Sequence, residues 1–428
     1  LGYPIPGLWV TEHTTTVPLD WKDPGGESLQ LFVREIVDPD KKDAELPLLT
    51  YLQGGPGGAS PRPLEPTGWI AEALPHYRIV LVDQRGTGKS TPLEARDVAA
   101  RGSAEKGADY LMHFRADSII QDMEHIRAEL YGGRKWTTLG QSYGGWLTLT
   151  YLSAAPEALT ACYICGGIPG TPPRAAAVYR RTFPRAGAKT AEYYRRFPQD
   201  EPVVAEIADL LAREDIRLPD GDRLTVRRFQ ALGKDFGMKP GFEQVHWLIE
   251  TAFARPGRLS ERFLANTMNI TSAVDGPIYW GLQEAIYGDP DSGSTGWAAQ
   301  AERDKHSQFA EDARPLLFTG EMAFPWMFNE IRALKPAAAA VSALHNRSDY
   351  SKIYDYSRLA ANDIPVAAAV YYDDMFVDAH LQLDTLSRIG NSQAWVTNEL
   401  EHDGISSGKT FTYLRTLVRD RGGEKKQP

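Results

Sequence analysis

Trp136-Thr137-Thr138-Leu139-Gly140-Gln141-Ser142-Tyr143-Gly144-Gly145 is the stretch whose reading decides the fold. A short run of strand character enters a Gly-x-Ser-x-Gly, and the segment from Trp146 to Ala155 can continue as a helix. A serine in that position sits on a sharp strand-to-helix turn. Glycine two residues to either side lets strand and helix pack closely enough to present its hydroxyl. A bland Gly-rich turn would not need both flanks. Ser142 is therefore the candidate nucleophile, and because a serine hydroxyl is weak on its own, a general base must lie elsewhere.

Working outward, Leu48 to Leu52 and Tyr77 to Val82 are short apolar runs, each followed by a Gly-containing loop, as buried parallel strands are. Trp9 to Pro18 and Leu29 to Val37 show partial alternation and read as strands. Between Ser118 and Tyr131, Ile119, Ile120, Met123, Ile126 and Leu130 recur at helical spacing, and Leu159 to Cys165 is a sixth strand. From about Arg174 to Asn346 the pattern changes to Arg, Glu, Ala, Tyr and Trp at helical spacing with little β-branched content. Strand signals return at Val366 to Tyr372 and Gln393 to Leu400, and a last helix fits Gly408 to Arg421. The expectation is an α/β fold with a mostly parallel sheet flanked by helices, built from residues 1–173 and 347–428. A mainly helical cap, residues 174–346, is inserted after the sixth predicted strand.

Composition narrows the function. The chain has 428 residues, 42% hydrophobic and 24% charged, which is ordinary for a globular protein and excludes disorder and coiled coil. A net charge of −9 argues against a nonspecific nucleic-acid binder, which needs excess Lys and Arg against phosphate. The paired arginines Arg180-Arg181, Arg195-Arg196 and Arg227-Arg228 are interleaved with acids and read as solvated helix faces. No leader pattern opens the sequence and no apolar run reaches the ~20 residues of a membrane span, so a cytoplasmic location away from membranes is expected. Cys162 and Cys165 fit C-x-x-C but lie in an apolar strand, where positions i and i+3 face opposite ways; neither a disulfide nor a metal site is expected there. Gly86-Thr87-Gly88-Lys89-Ser90 ends like a phosphate-binding loop, yet Asp83 stands where its first Gly is required, so it reads as structural support for the elbow. No cluster has zinc spacing, and no cofactor or metal is expected.

After a nucleophile on such an elbow, the acid comes next in the chain and the histidine last. Of nine histidines, His380 and His402 follow the strand Val366 to Tyr372. His402 sits in a loop directly after a strand, and is the candidate base. His380 falls in a helical segment after Asp378 and reads as a surface or core position. The acid should leave the end of the preceding strand, where Asp373, Asp374 and Asp378 compete. Gln53-Gly54-Gly55-Pro56-Gly57-Gly58 follows an early strand and suits an oxyanion hole, since Gly lets backbone N–H groups converge on a developing negative oxygen. Gly55, with Gly54 second, and Tyr143 are the candidate donors.

Gly54-Gly55-Pro56-Gly57-Gly58, Asp83-Gln84-Arg85-Gly86-Thr87-Gly88-Lys89-Ser90 and the Gly-Gln-Ser-Tyr-Gly-Gly elbow together resemble the prolyl aminopeptidase (proline iminopeptidase) family of α/β-hydrolase serine peptidases. Gln53 stands where the family's loop usually has His, and Tyr143 where shorter members have Trp. Asp374-Met375-Phe376-Val377 is similar to the Asp-Met-Tyr-Val of the longer members, which turns the choice of acid to Asp374. The resemblance implies a serine exopeptidase that releases an amino-terminal proline from peptides. It also implies cap glutamates that meet the substrate's ammonium, with Glu284 in Pro277 to Gly288 as main candidate. Glu321 is the second, within the aromatic stretch Phe318 to Phe328 that suits a pyrrolidine pocket. An esterase or amidase on the same scaffold, or a noncatalytic binding protein, are the rival expectations.

Overall fold

The computed structural model describes residues 2–274 and 276–423. Among these, nine strands form one sheet: β1 (Gly2–Ile5), β2 (Leu8–Pro18), β3 (Ser28–Val37), β4 (Leu48–Leu52), β5 (Arg78–Asp83), β6 (Trp136–Gln141), β7 (Leu159–Cys165), β8 (Val366–Tyr371) and β9 (Ser392–Thr397). Their order is β1-β2-β3-β5-β4-β6-β7-β8-β9. From β5 onward every neighbouring pair is parallel, while β1 to β3 run antiparallel at one side. β1 has no sequence signal of its own, because Pro4 and Pro6 break the strand pattern. It survives as the outermost strand, where a residue without an N–H can be tolerated, paired with β2 across a turn in which Gly7 takes φ +70.

Alternation along the central strands sorts the core into two layers. Leu49, Tyr51, Ile79, Leu81, Tyr163, Ala367 and Ala369 face one side, where helix Gly68–Ala73 and the C-terminal helix pack. Their neighbours Leu48, Leu52, Val80, Val82, Ile164, Ala368 and Val370 face the other, against α1 (Ala116–Tyr131) and α2 (Tyr143–Ala154). α2 is buried at every position but its last, and its Thr148, Thr150 and Ser153 hydroxyls donate to carbonyls four residues back, so that no face needs water. Between β7 and β8 the chain leaves the sheet and forms helices joined by long irregular segments, with a two-stranded hairpin at Phe253–Arg255 and Arg258–Leu259. Its main members are α3 (Ala175–Arg196), α4 (Asp200–Arg213), α5 (Gly241–Glu250), α6 (Glu261–Thr271) and the short α7 (Ala298–Arg303). The chain then returns through β8, α8 (Ala379–Leu386), β9 and α9 (Lys409–Asp420), whose Phe411, Leu414 and Val418 are buried at helical spacing. No helix among the described residues is long and apolar enough to cross a membrane.

Cys162 and Cys165 are both free, and belong to the cores on opposite faces of the sheet. Burial pushes each thiol up to about 12, so neither supplies a thiolate near neutral pH. The double substitution Cys162→Ser/Cys165→Ser is expected to lower the melting temperature, since each hydroxyl enters an apolar layer at a cost of about 1–3 kcal/mol. Turnover per folded molecule, measured with active-site titration, should stay at the wild-type value; a large fall in kcat would give the thiols a role the fold does not suggest.

Candidate active site

Ser142 is held in a backbone conformation that a non-glycine residue rarely adopts, φ 80 and ψ −113, which costs about 1–3 kcal/mol. Packing on both sides of the turn imposes it. A Cβ on Gly144 would lie 2.0 Å from the Leu52 carbonyl oxygen, and one on Gly145 1.7 Å from that of Gly167. Only glycine lets α2 enter this close to the sheet. The Ser142 N–H donates to the Cys165 carbonyl at 3.1 Å, and its carbonyl accepts from Gly145 N–H at 2.8 Å.

The loop after β9 brings His402 to this turn. Its Nε2 is 2.9 Å from Ser142 Oγ and its Nδ1 is 2.8 Å from Asp374 Oδ2. All three are buried, at 7% exposure or less. The other Asp374 oxygen accepts the N–H groups of Phe376 at 2.8 Å and Val377 at 3.1 Å. An ionised carboxylate can only accept, so Nδ1 carries the proton and Nε2 is free to accept from the serine hydroxyl. Burial by itself depresses the imidazole's pKa; the adjacent Asp374 charge and hydrogen bond oppose it and leave the net shift upward from 6.5. Gln141 Nε2 donates to the His402 carbonyl at 3.2 Å, the His402 N–H donates to Gly237 of the cap at 3.0 Å, and the Phe376 ring meets the imidazole edge-on at 4.9 Å.

The competing carboxylates have other partners. Asp373 Oδ1 is 2.9 Å from an Arg185 guanidinium nitrogen, and Asp378 accepts the Leu381 N–H at 3.0 Å as the N-cap of α8. His380 is exposed on that helix, near the Tyr372 ring. In the early loop, Gly54 lies closest to the serine: a Cβ there would come 3.1 Å from Ser142 Cβ. Gly55 follows at φ +128, and Tyr143, as the first residue of α2, has an N–H with no carbonyl four residues back inside the helix. Gln84 Nε2 donates to the Gln53 carbonyl at 3.0 Å, and Arg85 forms a buried double contact with Asp122 at 2.7 and 2.6 Å. The Asp83 to Ser90 segment is thus a brace beneath the glycine loop.

The two cap glutamates stand in different surroundings. Glu321 is half-buried, accepts a hydrogen bond from the Tyr279 hydroxyl, and lies within electrostatic reach of both His402 and Asp374. Burial raises its pKa, with His402 and Tyr279 opposing. Glu284 is fully buried, and both its oxygens are engaged: they accept the N–H groups of Ala298 and Ala299, each at 2.9 Å, at the start of α7, and one lies 3.2 Å from His345 Nδ1. Tyr179 and Tyr287 lie within electrostatic reach of both Glu284 and Glu321. Phe318 packs into the cap against Phe229 and Phe236. A cavity of about 360 Å³ opens beside the glycine loop, lined by Gln53, Gly54, Gln141, Lys234, Tyr279 and Trp280. Tyr279 and Phe376 gave no separate signal as site residues, since an isolated aromatic in an apolar segment reads as core.

A serine on a strand-to-helix elbow, hydrogen bonded to a histidine that is in turn hydrogen bonded to an aspartate, the two carried after later strands of a parallel sheet, defines an α/β hydrolase. The α/β-hydrolase-fold family model matches residues 47–214. Proline iminopeptidase of Aeromonas sobria is 41% identical over 407 residues, covering 95% of each chain, and the chain belongs to the proline iminopeptidase family. A proline iminopeptidase of Aspergillus aculeatus is 33% identical, over 96% of this chain and 94% of its own. Similarity to the tripeptidyl aminopeptidase of Streptomyces lividans, 29% identical, is confined to 33% of this chain and 32% of that one.

Proposed function

We propose that this chain is a serine exopeptidase that releases proline from the free amino terminus of peptides. The observation that carries the reading is Glu321, a half-buried carboxylate hydrogen bonded to Tyr279 and within electrostatic reach of His402. A carboxylate shielded from water and close enough to His402 to feel its charge is best matched by a cation, and the cation that a peptide offers next to its first carbonyl is its own terminal ammonium. Family membership adds the proline ring as the residue to which that ammonium belongs.

In this reading the Ser142 hydroxyl attacks the carbonyl of the first residue as His402 Nε2 takes its proton. Asp374 holds the tautomer and stabilises the imidazolium without accepting that proton. The N–H groups of Tyr143 and Gly55 bind the oxyanion. His402 then protonates the departing amine, and water, deprotonated by the same nitrogen, releases proline from the acyl-enzyme. Residues 174–346 act as the cap that closes over the substrate, and the peptides come from the cytoplasm, which cell fractionation would test.

The ammonium is charged in both ground and transition states, so its partner contributes mainly to binding. Glu321→Gln is expected to lower kcat/KM on Pro-naphthylamide by about 10- to 100-fold, from the roughly 1.5–3 kcal/mol of a charge-assisted hydrogen bond, chiefly through KM. Glu284→Gln should move KM less and thermal stability more. N-acetyl-Pro-naphthylamide should be a poor substrate for the wild type. Equal cleavage of blocked and free substrates, with an unchanged kcat/KM in Glu321→Gln, would sink the aminopeptidase reading in favour of a general serine hydrolase. Inertness toward Pro-naphthylamide and a short-chain ester alike would favour a binding protein.

A further inference from the structure

We propose that Lys189, on the cap helix α3, is a positioning residue for His402 and acts through Glu401. The inference rests on His402 being the general base.

Arg181, Arg185 and Lys189 recur every four residues and therefore share one face of α3. Each meets a carboxylate on a loop that carries a triad member. Arg181 Nε lies 3.7 Å from Asp378, an Arg185 guanidinium nitrogen 2.9 Å from Asp373, and Lys189 Nζ 2.5 Å from Glu401. Asp373 immediately precedes Asp374, and Glu401 immediately precedes His402. The rungs are unequal. The Arg181 and Arg185 side chains are 47% and 27% exposed, so water and salt screen them; the Lys189 side chain is 5% exposed and that of Glu401 19%. The second Glu401 oxygen is buried with no hydrogen-bond partner among the described residues. Lys189 is thus the contact that fixes this side chain.

The same loop is gripped from the cap at adjoining points. Lys239 Nζ donates to the Glu399 carbonyl at 2.8 Å, the His402 N–H donates to Gly237 at 3.0 Å, and the Lys239 N–H donates to Asp403 at 2.9 Å. The two backbone donors among these, His402 N–H and Lys239 N–H, survive most substitutions; the Lys189 ammonium does not. Without it, Glu401 must seek water, and the residue next to it is the imidazole that has to stay within hydrogen-bond reach of Ser142. Displacing a catalytic group by about 1 Å can cost on the order of 100-fold in rate.

The test compares full-length wild type, Lys189→Met, Lys189→Arg, Glu401→Gln and Ser142→Ala. Two readouts are used: steady-state cleavage of Pro-naphthylamide, and the rate at which the serine oxygen bonds to the phosphorus of a fluorophosphonate and expels fluoride into solution, which reports nucleophile activation without the leaving amine. In Lys189→Met, kcat should fall about 10- to 100-fold with KM nearly unchanged, and fluorophosphonate inactivation should slow by the same order. Lys189→Arg should restore most of both rates, and Glu401→Gln should resemble Lys189→Met. If Lys189→Met does not fold, Glu401→Gln, which keeps its shape, decides with Lys189→Arg. Wild-type kcat in a folded Lys189→Met or Glu401→Gln, or a loss confined to KM, overturns the role of Lys189 and leaves the proposed function standing. An active Ser142→Ala overturns the proposed function and this inference with it.

Discussion

Ser142→Ala is expected to lower kcat on Pro-naphthylamide by roughly 10⁶-fold, the size of loss that removing a serine nucleophile produces when the triad acts as a unit. The fold should hardly notice. Alanine keeps the Cβ, so the strained turn at φ 80 is neither relieved nor worsened, and the substitution removes only the 2.9 Å hydrogen bond to His402. That bond contributes about 0.5–1.5 kcal/mol, within what thermal denaturation followed by circular dichroism can resolve. Turnover within tenfold of wild type, in protein shown to be homogeneous, would mean that another group attacks the carbonyl.

Asp374→Asn should lose about 10⁴-fold in kcat, and the hydrogen bonds around the carboxylate explain how. One oxygen of Asp374 accepts from the Phe376 and Val377 N–H groups. An asparagine in its place must keep its single oxygen on those two donors, which turns the NH₂ toward His402. The imidazole then has to accept at Nδ1, so its proton moves to Nε2, the atom that must take the proton of Ser142. The unit is jammed in the wrong tautomer with its geometry nearly intact. Asp373→Asn, which removes only a partner of the partly exposed Arg185, should stay close to wild type in kcat. The reverse pattern, with Asp374→Asn active and Asp373→Asn inert, would show that the base is oriented by the other carboxylate.

How much of this was legible depends on how local the cause is. The parallel strands were readable because a buried strand is a short apolar run whatever surrounds it. Ser142 was readable because the elbow's glycines are demanded by their neighbours: a Cβ at Gly144 or Gly145 would strike the Leu52 or Gly167 carbonyl oxygen. His402 followed from chain order. The choice among Asp373, Asp374 and Asp378 was not decidable from residue type, since all three leave the same strand end; it needed the resemblance of Asp374-Met375-Phe376-Val377. Glu284 shows the limit. A glutamate in an aromatic cap segment reads the same whether it awaits a ligand or closes the start of a helix fourteen residues on, and here its oxygens accept Ala298 and Ala299 N–H groups. The pairing of α3 with the Asp373, Asp378 and Glu401 carboxylates was equally hidden. Its basic residues do keep helical spacing, but their partners are nearly two hundred residues away or more.

Because the helical stretch enters between β7 and β8, the serine is encoded on one side of it and the aspartate and histidine on the other, with 260 residues separating Ser142 from His402. A polypeptide emerging from the ribosome at ~5–20 residues per second therefore exposes its serine roughly 13 to 50 s before its histidine exists. Throughout that interval the nascent chain carries the proposed nucleophile without its proposed base. A fragment truncated just before β9 carries the serine and the aspartate without the histidine, so on the proposed function the order of elements along the chain withholds the base until synthesis is nearly complete.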